Sequence, residues 1–204
     1  MRKIYVVLTC GGDPSKALFR KLTDSDYDHV SVSFNEKLPV MYSFARSQLD
    51  VPLVGGFVAE YPSRFLACGR AVPVRIYALE VGEEEYTRVR DVIRRIMTHP
   101  QIYTYNIYDK AATVVGGQCP IKRSYTDMTF VCKLLHLGKI RSMKELQFIL
   151  SPHLVYDGTM NEIVEPADER HGADYFSRVP APKAFAKSFV YSAKLLGRKV
   201  YEDL

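Results

Sequence analysis

Residues 125–131 read YTDMTFV and predict the first turn of a helix that extends to about residue 136. Asp127 lies in this turn, where the helix dipole favours a negative charge. The stretch therefore predicts a helix with a carboxylate at its N-terminus and a core-facing side. That side holds four apolar side chains: Phe130, Val131, Leu134 and Leu135.

A hairpin that carries a histidine is predicted upstream of this helix. Residues 29–34 alternate as a strand, with Val30 and Val32 on one face and His29 and Ser31 on the other. Residues 35–37 form a turn into a second strand over residues 40–45. The hairpin thus presents His29 from a strand with a strongly apolar opposite face.

The remaining segments predict one α+β domain, with a central antiparallel sheet packed against helices. We expect this domain over residues 1–164, and over residues 165–204 a proline-containing excursion followed by an amphipathic C-terminal helix packed on it. Further strands are predicted at residues 3–9, 55–60, 73–81 and 154–158. Further helices are predicted at residues 13–23, 83–97, 103–115, 142–150 and 182–196, of which 103–115 is ambiguous.

The C-terminal helix has two kinds of surface. Phe185, Phe189 and Leu196 face one way, and Lys183 and Lys187 face others. Packing of the apolar side on the domain is the expected arrangement. A protein partner or a membrane surface is the alternative.

Composition and charge restrict the class of protein. The chain has 204 residues, is 47% hydrophobic and carries a net charge of +5 without a block of like charges, so we expect no nucleic-acid partner. No apolar run approaches the roughly 18 residues of a membrane span. The four cysteines have no metal-binding spacing, and we expect reduced thiols, no cofactor, no metal and a cytoplasmic location.

Short stretches in this order resemble the permuted papain-like amidases, which are relatives of NlpC-type cell-wall peptidases and of the lecithin:retinol acyltransferase group and include the bacterial YiiX-like proteins. The resemblance covers roughly residues 3–158 and implies a permuted, NlpC-like papain fold. Its members cleave or transfer acyl groups at amide or ester bonds, often in cell-wall peptides or lipids. The matching stretches are YDHVSV at 27–32, MYSFAR at 41–46, GGFV at 55–58, PIKR at 120–123, YTDMTFV at 125–131 and LVYDG at 154–158.

The resemblance implies roles for several residues. His29 corresponds to the catalytic base, and Ser43, Tyr42 or Glu60 would orient it. Asp127 occupies the position of the nucleophilic cysteine. Two more residues at the start of the helix, Tyr125 and Thr126, are expected with Tyr42 to contact a ligand.

The aspartate at the nucleophile position leaves several hypotheses open. The leading one is a pseudoenzyme that has lost cysteine chemistry and binds a peptide, a lipid or another amide- or ester-containing ligand, or a protein partner, in the former cleft. The alternative is a hydrolase in which Asp127 and His29 activate water. A metal site formed by His29, Asp127 and another carboxylate is a weaker third hypothesis. Cys132 lies about 7.5 Å further along the helix, and Cys119 lies in a preceding loop, so neither replaces the missing thiol readily.

Overall fold

A six-stranded antiparallel sheet, in the order β4-β3-β2-β1-β5-β8, organises the structure. This computed structural model describes residues 1–10, 25–48, 50–51, 53–66, 71–114, 116–163 and 179–202. A separate pair of short parallel strands is formed by β6 and β7. The strands are β1 Arg2–Thr9, β2 His29–Ser33, β3 Met41–Arg46, β4 Gly55–Glu60, β5 Pro73–Val81, β6 Thr104–Tyr105, β7 Ser124–Tyr125 and β8 Leu154–Thr159.

Seven α-helices and two 3₁₀ turns accompany the strands within the described ranges. The longest are α2, with three glutamates in its first turn and Arg95 in its last as the helix dipole favours, and the C-terminal α7. Across this part of the chain, no helix is both long and apolar enough to cross a lipid bilayer. The helices are α1 Pro62–Leu66, α2 Glu83–Thr98, α3 Ile107–Val114, α4 Asp127–Leu134, α5 Met143–Leu150, α6 Met160–Ile163 and α7 Ala181–Glu202, and the 3₁₀ turns are Pro100–Ile102 and Ser151–His153.

The two faces of the sheet bury separate clusters. On one face, alternate residues of β1 and β2 such as Val6 and Val32 pack with Val89 of α2 and Val131 of α4. On the other face, a smaller cluster includes Val7. All five residues of β2 are buried, so this strand is covered on both faces.

The predicted α+β class and the antiparallel sheet with a C-terminal helix are confirmed. The predicted hairpin is formed by β2 and β3, where Val32 pairs with Tyr42. The helix expected over residues 13–23 and most of the expected excursion lie outside the described residues. The short helix α1 was not predicted.

The ambiguous segment at residues 103–115 divides into a strand and a helix. Thr104 and Tyr105 pair with Ser124 and Tyr125, and α3 begins only at Ile107. Asn106 separates them, because its side-chain oxygen accepts the backbone N–H of Asp109 at 3.0 Å, as a helix N-cap does. The prediction of one continuous helix missed this cap.

The C-terminal helix α7 packs on the domain through a different face from the one expected. Tyr191 and Leu195 are buried, and the Tyr191 hydroxyl donates to the Gly55 carbonyl at 2.8 Å. Phe185 and Phe189, on the apolar face that was expected to pack inward, are largely exposed. The helix is therefore attached through both polar and apolar contacts, and its most apolar side faces outward.

Candidate functional site

The start of α4 is built by a capping box. The Thr126 hydroxyl accepts the backbone N–H of Thr129 at 3.0 Å, and the Thr129 hydroxyl accepts the backbone N–H of Thr126 at 2.8 Å. Two of the N–H groups that a helix start leaves unpaired are thereby satisfied. Asp127, the first residue of the helix, is buried and held in a fixed position beside β2.

His29 lies between two carboxylates. Its Nδ1 is 3.2 Å from Oδ2 of Asp127, and its Nε2 is 2.6 Å from Oε2 of Glu60. All three side chains are buried. The structure thus brings together three residues that the sequence proposed for the site, from strands β2 and β4 and from the start of α4.

The carboxylate of Glu60 has two further partners. The Ser43 hydroxyl donates to Oε2 at 2.8 Å, and Nη1 of Arg64 lies 3.2 Å from Oε1. Burial acts to raise the pKa of Glu60, but the charges of His29 and Arg64 and the hydrogen bonds outweigh it, lowering the pKa to about 2. Glu60 therefore carries a negative charge at neutral pH.

The carboxylate of Asp127 is also shared between partners. Its Oδ2 accepts the backbone N–H of Val30 at 3.3 Å in addition to facing His29. Its Oδ1 lies 3.1 Å from Nζ of Lys110, which extends from α3. The two carboxylates lie on either side of the histidine, and each has a cationic partner, Arg64 or Lys110. We call this set the buried charge network; its members are His29, Ser43, Glu60, Arg64, Lys110 and Asp127.

The protonation of His29 follows from this geometry. A neutral imidazole has one N–H and one lone pair, so a ring that faces a carboxylate at each nitrogen is satisfied only when both nitrogens carry protons. Burial alone would lower the pKa of His29, yet the charge of Glu60 and the contacts with both carboxylates raise it to about 8. At neutral pH the ring is therefore an imidazolium cation.

The three expected ligand-contacting residues separate in the structure. Tyr42 lies on the opposite face of β3 from Ser43, stacked on Phe57 with ring centres 6.1 Å apart. Thr126 is buried as the N-cap of α4. Tyr125 is half-buried, as Tyr42 is, and it is the residue of these three that lines the cavity beside α4.

This cavity, of about 410 Å³, lies beside the start of α4. Three cationic side chains, Lys122, Arg123 and Lys133, line it. Nζ of Lys133 lies 5.2 Å from the centre of the Tyr125 ring. The other lining residues are Asn106, Asp109, Gln118, Pro120, Ile121, Ser124 and Thr129.

Cys132, the cysteine on α4 itself, does not supply the missing nucleophile. Burial and the nearby charge of Asp127 raise the pKa of Cys132 to about 12, so its thiol stays protonated. Among the described residues, no group of three or more His, Cys, Asp or Glu side chains is arranged to hold a metal ion. Asp127 and Glu60 meet opposite nitrogens of the His29 ring and so do not converge on one ion.

The sequence did not identify the two cations of the network. Arg64 follows Glu60 at a spacing of four residues, but this spacing predicts an ion pair only within a helix, and Glu60 ends a strand. Lys110 lies 17 residues before Asp127, and no local pattern connects them. Comparisons with models of known protein families, with curated proteins and with solved structures give no significant match.

Proposed function

We propose that this chain is a papain-like domain that has lost cysteine chemistry and that binds an anionic peptide in the cavity beside the start of α4. The loss of cysteine chemistry is inferred from the position of His29 between two carboxylates. Both of its ring nitrogens face carboxylates, and one of these carboxylates, Asp127, stands where the family resemblance places the nucleophile.

The order Asp127–His29–Glu60 supports the papain-like assignment. In a Cys–His site, one imidazole nitrogen faces the nucleophile and the other faces an orienting polar group. Here Glu60 takes the place of the orienting group, with Ser43 behind it, and Asp127 takes the place of the thiolate. The three groups thus follow the order of a Cys–His site, but Asp127 has no sulfur atom and cannot form a thioester.

The alternative, a hydrolase that activates water with His29 and Asp127, is less well supported. A general base needs a nitrogen with a free lone pair pointing at the water. Glu60 lies 2.6 Å from Nε2, so water would have to displace this carboxylate before it reached the ring. The pKa of His29 is also raised, so the ring is already protonated at neutral pH and cannot accept a proton from water.

The charge of the cavity points to the class of ligand. Its lining has three cations and one acidic residue, Asp109, whose Oδ1 already accepts the backbone N–H of Cys119 at 2.7 Å. The uncompensated charge is therefore positive and favours an anion. Tyr125 adds an aromatic surface and Ser124 a hydroxyl, which suit the amide and side chain of a peptide with a free carboxylate.

The loss of chemistry is tested by assaying amide and ester hydrolysis with the chain as it stands, with Asp127→Cys and with His29→Gln. We expect the unmodified chain to be inert and Asp127→Cys to gain turnover, because a thiol at the helix start would face His29. Circular dichroism establishes that each variant is folded. Turnover by the unmodified chain that falls with His29→Gln would instead establish the water-activating alternative.

Binding is tested by isothermal titration calorimetry with N-acetyl amino acids and with their C-terminal amides. We expect the free carboxylates to bind more tightly than the neutral amides. Lys133→Gln should weaken the carboxylates selectively, whereas Lys37→Gln, an exposed lysine in the turn between β2 and β3, should leave them unchanged. Equal affinity for acids and amides, or equal effects of the two variants, contradicts the assignment of this cavity.

A further inference from the structure

The outward face of α7 is apolar, and this reverses the usual arrangement of a surface helix. Four large apolar side chains are exposed along it: Phe185 (77%), Phe189 (69%), Val190 (66%) and Leu196 (52%). A helix of a globular protein ordinarily turns such a stripe toward the core and leaves its polar side in water. Here the stripe has no covering element in the part of the chain that the structure describes.

The side of α7 that contacts the domain fixes this orientation. Tyr191 and Leu195 are buried, and the Tyr191 hydroxyl donates to backbone carbonyls of Gly55 and Tyr105. Near the end of the helix, Nη1 of Arg198 donates to the Thr104 hydroxyl at 2.8 Å. These contacts lie along one side of the helix, so the helix cannot roll to bury its phenylalanines without breaking them.

The charges of α7 follow one edge of the stripe. At about 100° per residue, the four exposed apolar side chains fall within a sector of about 140°, and Lys183, Lys187 and Lys194 fall within the adjoining sector of about 60°. Residues 181–201 contain no aspartate or glutamate. Lys187 donates to Oε1 of Gln48 at 3.0 Å and Lys194 to the Gln101 carbonyl at 3.4 Å. Both acceptors are neutral, so the lysines keep their net charge along the edge of an apolar stripe that spans about 16 Å from Phe185 to Leu196.

We propose that this face of α7 binds the surface of an anionic lipid bilayer, with its phenylalanines in the acyl boundary and its lysines at the headgroups. An apolar stripe bordered by lysines matches the two layers that such a surface presents. Lysine side chains reach from the edge of the stripe to the headgroups while their methylene stems stay in apolar surroundings.

Charge complementarity favours a bilayer over a second copy of the chain. The same helix of a second copy would bring four more lysines and one arginine against a single acidic residue, Glu202 at its last position. An anionic bilayer supplies many negative groups against one apolar layer. A mostly apolar groove lined by Leu53, Phe185 and Phe189 adjoins the stripe and extends the apolar surface available to acyl chains. Its one acidic residue, Asp50, accepts the backbone N–H of Val179 at 3.1 Å.

The test is cosedimentation of the full chain with vesicles of phosphatidylcholine alone and with equimolar vesicles of phosphatidylcholine and phosphatidylserine. We expect binding to the anionic vesicles that weakens as salt is added. Replacing both aromatic anchors, with Phe185→Ser and Phe189→Ser, should weaken it by about tenfold or more. The matched control is Phe148→Ser, at an equally exposed phenylalanine (79%) on α5, which should leave binding unchanged.

A second pair of variants tests how far the lysines of α7 contribute to binding of the anionic vesicles. Lys183→Gln with Lys187→Gln should lower binding to the anionic vesicles, whereas Lys37→Gln should not. Thermal unfolding followed by circular dichroism establishes that the exposed substitutions leave the fold intact. Absence of vesicle binding, or equal binding by the double phenylalanine variant, overturns the proposal. A lipid-independent dimer that the same variant dissociates would overturn it too, and would assign the face to self-association.

Discussion

Nε2 of His29 and Oε2 of Glu60 lie 2.6 Å apart, with both side chains buried. A contact this short between a ring nitrogen and a carboxylate oxygen is typical of a charge-assisted hydrogen bond. It joins β2 to β4 across the intervening strand β3. Glu60 and the protonated His29 therefore form a buried ion pair.

Removing the charge of Glu60 should strongly destabilise the fold. Glu60→Gln keeps the shape of the side chain but leaves His29 and Arg64 without their shared anion. Loss of one partner from a buried ion pair costs about 3–5 kcal/mol. Urea unfolding measures this loss, and Glu36→Gln, at an exposed glutamate, should change the free energy of unfolding by less than about 0.5 kcal/mol. Similar values for the two variants would show that the network contributes little to stability.

The stability of the protein should depend on pH through His29. Its pKa in the folded protein is about 8, above the ordinary 6.5, so the protonated ring stabilises the fold. This contribution, on the order of 2 kcal/mol, is complete below about pH 6.5 and is lost as the pH rises through about 8. Urea unfolding from about pH 5.5 to about pH 9, roughly a unit on either side of that window, should show it as a falling midpoint.

Nuclear magnetic resonance of the imidazole assigns this titration to His29 itself. Asp127→Asn removes one of the two carboxylates, so the pKa of His29 should fall in that variant. A ring that stays neutral at pH 7 in the unmodified protein would contradict the double protonation inferred from the geometry.

The low-pH limit of stability should depend on Glu60. Its pKa is lowered from 4.5 to about 2, so its contribution is present above about pH 4.5 and is lost as the pH falls toward 2. In Glu60→Gln the unfolding midpoint should therefore lose less on acidification than in the unmodified protein. Parallel acid-denaturation profiles would show that other carboxyl groups control this limit.

Two neighbouring glycines should respond differently to alanine. A Cβ at Gly55 would overlap the Ala45 carbonyl oxygen and lie 2.9 Å from Cβ of Tyr105, whereas at Gly56 the nearest atom would be 3.5 Å away. Gly55→Ala should therefore cost about 1–3 kcal/mol, as overpacking does. Gly56→Ala serves as the control, with a change in the free energy of unfolding below about 0.5 kcal/mol. Equal effects would mean that β4 shifts to relieve the overlap.

Two neighbouring leucines of α7 test how this helix is attached. Leu195 is fully buried against the domain and Leu196 is half exposed. Leu195→Ala should cost about 2–5 kcal/mol of unfolding free energy, whereas Leu196→Ala should cost less than about 1 kcal/mol in the absence of lipid. A larger loss at Leu196 would place the opposite face of the helix against the domain.

Local sequence patterns, such as the alternation of apolar and polar residues, predicted much of the fold. Alternation in β2 placed Val30 and Val32 on the core face, because the side-chain period of a strand is fixed by its backbone. The predicted face of α7 was wrong, since periodicity identifies an apolar stripe but not what covers it. In the structure a tyrosine hydroxyl and a leucine attach the helix, along a side of small residues such as Ala184 and Ser188.

The candidate site was predictable in part. His29, Ser43, Glu60 and Asp127 were proposed from the order of stretches along the chain, and the structure brings them together. Which group faces which ring nitrogen depends on the register of β3 with β4 and on where α4 begins. Lys110 belongs to the site only because the tertiary fold brings it from α3 to within 3.1 Å of Asp127, a relationship without a local signal.

The buried charge network also has a consequence for the order of folding. His29 and Asp127 are 98 residues apart in sequence, whereas β2 and β3 are joined by a short turn. Contacts across so long a loop are entropically costly to close and form after local hairpins. We expect the network to be absent from the transition state for folding, so that it slows unfolding without speeding folding. The buried charge network would then give the native state kinetic stability beyond its contribution to the equilibrium.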